Sequence, residues 1–190
     1  MPSDAEARLT VAIIGAGPLG RWLALSAAKA GFNVLLEDVM PSNMLHAQEY
    51  IRQQLGPEFM GAGTESPVTF VSTIEDAVRK ADLIIDCIPD ELESKLEILW
   101  LLDRMAPPRA IFNTPTLNLS ITDLANCTYR AGQCIAIAAS PTSLGGIDAK
   151  VGSAIALKAG PATTPDTIAL VSSFWSSLGF LPTVEHAAAI

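Results

Sequence analysis

Three glycines in this chain could do chemistry, and their spacing says what kind. Gly15, Gly17 and Gly20 stand in "VAIIGAGPLG", residues 11–20, where an apolar run meets the start of a helical pattern. A G-x-G-x-x-G turn between strand and helix suits a pyrophosphate. Gly15 permits the tight turn, Gly17 lets the backbone approach the phosphates, and Gly20 lets helix and strand pack closely. The free N–H groups of Leu19 and Gly20 and the positive end of the helix dipole, which begins at Pro18, supply the attraction. "VLLED" then ends the second strand and places Asp38 eighteen residues after Gly20. A carboxylate there accepts from ribose hydroxyls and repels a 2′-phosphate, and no Arg or Lys follows in "VMPSNML". The pattern predicts a dinucleotide site that takes NAD rather than NADP.

Such a site needs alternating strands and helices behind it, and the sequence supplies them. Strands are expected at 10–14, 33–37, 68–71, 82–87, 110–114, 133–138, 153–158 and 180–185. Helices are expected at 18–30, 41–55, 74–80, 91–105, 121–126 and 165–178. Strands such as "DLIIDCI" are continuous apolar runs, as in a parallel sheet covered on both faces. Pro18 suits a first helical turn and Gly31 a stop. Asp90 with Glu93 reads as a capping box, and Pro107–Pro108 ends that helix. Thr164–Pro165 opens the last long helix and Gly179 closes it. After a tail over residues 1–9, residues 10–190 read as a single α/β domain, a Rossmann-type doubly wound fold with a mostly parallel sheet.

The 190 residues are 49% hydrophobic and only 17% charged, which excludes a disordered chain. No apolar stretch approaches the roughly 20 residues that span a bilayer. The first residues, "MPSDAEARL", lack the basic and apolar regions of a secretory signal, so a cytoplasmic location is expected. A net charge of −8 argues against nucleic acid or anionic membrane as partner and leaves a small-molecule substrate. Cys87, Cys127 and Cys134 are odd in number and form no C-x-x-C, so buried free thiols are expected and no metal site.

The chain resembles the NAD-binding domain of the 3-hydroxyacyl-CoA dehydrogenases. The likeness runs from "VAIIGAGPLGRWLALSAAKAGFNVLLEDVMPS" through "ADLIIDCIPDELESKLEIL" and "LNLSITDLA" to "TTPDTIALVSSFWSSLGFLPTV". It implies that Pro89, Asp90 and Lys95 lie along the cofactor site, with Ile88 beside them and Thr116 across from them. Read as structure alone, Asp90 is a helix cap and Lys95 part of a solvated face.

The departures fall where the resemblance places the chemistry. The family's catalytic serine lies in an "N-T-S-S-L" turn after the fifth strand; "NTPTL" here puts Pro115 at the serine and Thr116 beside it. Its general-base histidine opens "H-F-F-N-P"; "IAASP" here puts Ile137 at the histidine and Ser140 at the asparagine. The glutamate that orients the histidine falls nearest Ala156, after the longer loop "TSLGGIDAKVG". The family's long helical hairpin between the second and third strands is reduced to "MLHAQEYIRQQLGPEFMGAGTESP". The sequence ends at Ile190, shortly after the strand where the family's all-helical C-terminal domain begins.

No replacement proton acceptor stands out, so the catalytic residues are unassigned. His46 reads as a surface histidine and His186 as a loose end. Thr114, Thr116 and Ser140 offer hydroxyls at strand ends but make poor bases unaided, and Asp148 and Lys150 read as a solvated loop. Two functions remain open. One is an NAD-linked oxidoreductase with an altered substrate site, from a lineage of fatty acid metabolism. The other is a non-catalytic NAD(H)-binding or sensing module. Trp100, Leu101, Phe174, Trp175 and Phe180 are expected to include an exposed apolar surface, and with it a homodimer.

Overall fold

The central strand, β1 (Thr10–Ile14), is apolar from Val11 onward because helices cover both of its faces. The computed structural model describes residues 8–55, 68–139 and 152–187. In spatial order β3 (Val68–Val71), β2 (Asn33–Glu37), β1, β4 (Leu83–Asp86), β5 (Ile111–Pro115) and β6 (Cys134–Ile137) run parallel. Next to β6 lies β7 (Ala154–Ala159), antiparallel to it, and then β8 (Leu181–His186), parallel to β7. The chain winds outward from β1 in both directions. A crevice therefore opens at the carboxyl ends of β1 and β4, where ligands of this architecture collect.

One face of the sheet is covered by α1 (Pro18–Lys29), α2 (Pro41–Leu55) and α6 (Pro165–Ser177), around Val11, Ile13, Leu23 and Ile85. The other is covered by α3 (Ile74–Val78), α4 (Leu92–Met105) and α5 (Ile121–Asn126), around Ala12, Ile84, Leu99 and Phe112. Three helix starts carry side-chain caps. Thr73, Ser120 and Thr164 accept through their side chains from the N–H groups of Asp76, Asp123 and Thr167. Among the described residues no helix is long and apolar enough to cross a membrane.

Three expectations are corrected here. Phe174, Trp175 and Phe180 are not a leftover surface: all three are buried, and Trp175 meets both phenylalanines edge-on. Trp175 Nε1 donates to Asn113 Oδ1 at 3.0 Å, and Asn113 Nδ2 donates to the Ile135 carbonyl at 3.2 Å, so the indole N–H is satisfied. Leu101 is half-buried, and Trp100 alone of the five is exposed, beneath the Arg104 guanidinium. The capping box at Asp90 and Glu93 does not form. α4 begins at Leu92 after Glu91, with no side-chain cap, because Asp90 is engaged elsewhere. Lys95 is not on a solvated face; it is fully buried.

Candidate functional site

The glycine turn is built as its spacing requires. Gly15 has φ +102°, a conformation that side chains resist. A methyl group on Gly20 would lie 1.7 Å from the Gly15 carbonyl oxygen, so α1 can seat against the turn only with hydrogen there. A methyl group on Gly17 would meet nothing within 4 Å; this position faces open space beside the start of α1. Leu19 is buried in the core and holds the helix down rather than facing a ligand.

Asp38 closes the turn from the side. Its Oδ2 accepts from Ala16 N at 2.7 Å and from Asn43 Nδ2 at 3.0 Å, and its Oδ1 accepts from Met40 N at 2.7 Å. A carboxylate has about four acceptor positions. Three are used to fix the loop, and one remains on Oδ1 for a ribose hydroxyl.

Between the turn and the loop after β4 lies a cavity of about 550 Å³, walled by Gly15, Gly17, Pro18 and Asp38 on one side and Cys87, Ile88 and Pro89 on the other. Glu37, Ile74 and Ile98 also line it. Burial pushes the Cys87 thiol far above the ordinary range, so Cys87 is an apolar wall rather than a nucleophile.

Further along the edge, Asp90 Oδ2 accepts from Leu117 N at 3.0 Å and ties the loop after β4 to the turn after β5. Its Oδ1 is buried with no partner among the described residues, an acceptor open to a donor from a ligand. Thr116 is buried and its Oγ1 accepts from Leu119 N at 3.0 Å, shaping the turn. Lys95 Nζ lies beneath this edge, paired with Asp86 Oδ1 and donating to the Asp86 carbonyl at 3.4 Å. Burial pushes the Asp86 carboxyl up, against the pull of Lys95.

The catalytic positions are apolar in the structure. Ile137 is fully buried in β6, opposite Leu157 on β7, and Ala156 is half-buried one residue before Leu157. Pro115 is still inside β5 and buried, so the turn begins later than "NTPTL" suggests. The first residue beyond the strand is the buried Thr116, followed by the exposed Leu117 and Asn118, none of them a serine. Ser140, Asp148 and Lys150 lie outside the described residues. His46 is exposed on α2, in a surface recess with Arg21 and Glu49. His186 is exposed on the edge strand β8, level with Ala159 and through it with Ile135, in the amino-terminal half of the sheet. Neither histidine reaches the crevice.

Sequence reasoning missed Glu37 and Asp86. Glu37 was hidden by its neighbour Asp38, although an acid ending an apolar strand is itself a signal. Asp86 ends "LIID", where an acid after three buried apolar residues could have been read as a partner for Lys95 nine residues on.

A family model for the NAD-binding domain of 3-hydroxyacyl-CoA dehydrogenase matches residues 10–185. The chain belongs to that family. As an NAD-binding domain, it presents a glycine turn, a ribose-side acid and an unpartnered acceptor along one crevice, and this set fits the dinucleotide. The chain is 33% identical over 133 residues to a probable 3-hydroxybutyryl-CoA dehydrogenase of Bacillus subtilis, covering 66% of this chain and 46% of that one. It is 29% identical over 181 residues to a 5-formyl-3-hydroxy-2-methylpyridine 4-carboxylate 5-dehydrogenase of Mesorhizobium japonicum, covering 92% and 56%. The crystal structure of (S)-3-hydroxybutyryl-CoA dehydrogenase from Ralstonia eutropha superposes with a TM-score of 0.80 at 22% identity, covering 96% of this chain and 65% of that one. The NAD-binding domain described here thus spans about half the length of the curated relatives it matches.

Proposed function

We propose that this chain holds NAD(H) for an oxidoreductase whose substrate is a small hydroxyl or carbonyl compound other than a 3-hydroxyacyl-CoA. Ile137 carries the reading. At the position that the resemblance gives to the general-base histidine stands a fully buried aliphatic side chain. NAD, when bound, supplies the hydride acceptor; the chain's own residues hold the phosphates at the glycine turn and the ribose at Asp38. The Mesorhizobium relative, matched over 92% of this chain, is named for a pyridine carboxylate rather than a thioester, which supports a substrate without coenzyme A. The relatives named for acyl-CoA substrates suggest a setting in fatty acid metabolism; the loss of histidine at Ile137 argues against it.

The second reading, a non-catalytic NAD(H)-binding or sensing module, is favoured by the placement of His46 and His186 away from the crevice. One screen separates the two: NADH consumption against small ketones, aldehydes and acyl-CoA thioesters. Turnover is expected on a substrate without coenzyme A. Acetoacetyl-CoA reduction should fall at least about a hundredfold below that, the scale of a missing general base. Ile137→His alone should not restore it, since Ala156 cannot orient the ring. NADH binding with no turnover on any substrate selects the module, and acetoacetyl-CoA turnover of several per second contradicts both. We further propose a cytoplasmic homodimer joined along the exposed edge strand β8, which light scattering would test; a strictly monomeric mass counts against it.

A further inference from the structure

We propose that Glu37 is a specificity-determining residue of the cofactor site, whose carboxyl reads the amino-bearing edge of the adenine and rejects a 6-oxo purine. The inference rests on the NAD reading above and concerns a residue that the glycine turn and the ribose acid leave out.

Glu37 ends β2 and lines the same cavity as Asp38, yet the two carboxylates are differently placed. Asp38 is held by three donors. Glu37 is only 4% exposed and has no hydrogen-bond partner among the described residues. Apart from Asp38 and Asn43, which bond to each other, it is the one polar side chain of this kind on the cavity wall; the rest of the lining is largely aliphatic, including Ile14, Ile74 and Ile98. A largely buried carboxyl without a protein partner carries part of the cost of desolvation, even though its oxygens are not wholly sealed from solvent. Burial, with the charge of Asp38 next to it, raises the Glu37 pKa. A leucine would fill such a wall at no electrostatic cost, so the acid is best explained by a donor that arrives with the ligand.

The order of groups around the cavity says which part of the ligand that is. The phosphates belong at Gly15 and Gly17 and the ribose at Asp38. The aliphatic wall beyond them suits a flat base. Adenine presents an exocyclic amino group, two N–H donors on a planar ring, to an acceptor on that wall. Hypoxanthine presents an oxygen at the same position, which would face the Glu37 oxygen acceptor to acceptor.

The test is calorimetric titration of the whole chain with NAD and with its hypoxanthine analogue. The parent should bind NAD about tenfold more tightly, one hydrogen bond gained against one repelled. Glu37→Gln presents both a donor and an acceptor, so its preference should shrink to about twofold, chiefly by improved binding of the analogue. Glu37→Leu, which fills the wall without polarity, should also lose the preference. A purely structural Glu37 would change both affinities together and leave their ratio alone. An unchanged ratio in a Glu37→Gln variant that melts like the parent overturns the proposal. NAD binding by the parent with no preference over the analogue overturns the proposal alone; no binding of either dinucleotide overturns the NAD reading with it.

Discussion

The Lys95 ammonium is sealed against the Asp86 carboxylate at the carboxyl end of β4, with neither side chain more than 2% exposed. The pair stands directly below the crevice and joins α4 to the sheet. Taking two charges out of water is costly, and their attraction offsets that cost only while both are present. Removing one partner leaves the other buried and uncompensated.

Asp86→Asn should therefore destabilise the chain by about 3 kcal/mol or more, because it strands an ammonium. Lys95→Met should cost less, since Asp86, whose pKa burial already raises, can take up a proton instead. A double replacement by Leu and Met should recover much of the loss. Urea denaturation measures all three. A cost below about 1 kcal/mol for Asp86→Asn would place the pair among solvent-screened surface bridges and contradict its burial.

Two of the three glycines of the turn, Gly17 and Gly20, should separate folding from binding. Gly20→Ala puts a methyl group 1.7 Å from a backbone oxygen that cannot move without shifting α1, so a lowered melting temperature is expected. Gly17→Ala meets no protein atom within 4 Å and should fold like the parent. Its methyl group would occupy the phosphate approach, so NADH affinity should fall about tenfold or more. Parent-like NADH binding by Gly17→Ala would move the pyrophosphate away from the turn.

Most of the fold was legible because its signals are local. Apolar runs, Thr164–Pro165 and Gly31 mark where strands and helices begin and end, and tertiary packing does not override them. Three residues were illegible for a shared reason: their roles depend on partners distant in sequence. Lys95 looks like a solvated charge until Asp86 is seen across from it. Asp90 fits a capping box until Leu117 N, 27 residues away, claims its oxygen. Trp175 looks like spare apolar surface until Asn113, 62 residues away, receives its indole N–H.

Glu37 should leave a signature in the pH dependence of stability. Its pKa is raised in the fold from an ordinary 4.5, so between that value and the raised one the folded state holds more protons than the unfolded state. Its contribution is full below the ordinary value and is lost as pH rises through the raised one. Glu37→Gln removes that loss. The difference in stability between variant and parent should therefore shift in favour of the variant as pH rises from about 4.5 towards neutrality. Urea midpoints across that range measure it, and a difference that does not vary with pH contradicts the burial of this carboxyl.

The most direct measurement is a calorimetric titration of the purified chain with NADH and with NADPH, repeated on Asp38→Ala. Saturable NADH binding is expected, about tenfold or more tighter than NADPH, because the remaining acceptor on Asp38 serves a ribose hydroxyl and its charge repels a 2′-phosphate. In Asp38→Ala the gap should narrow, mainly through weaker NADH binding as the Ala16 and Asn43 contacts are lost. No NADH binding, or NADPH binding as tight as NADH in the parent, would contradict the assignment of this crevice to NAD.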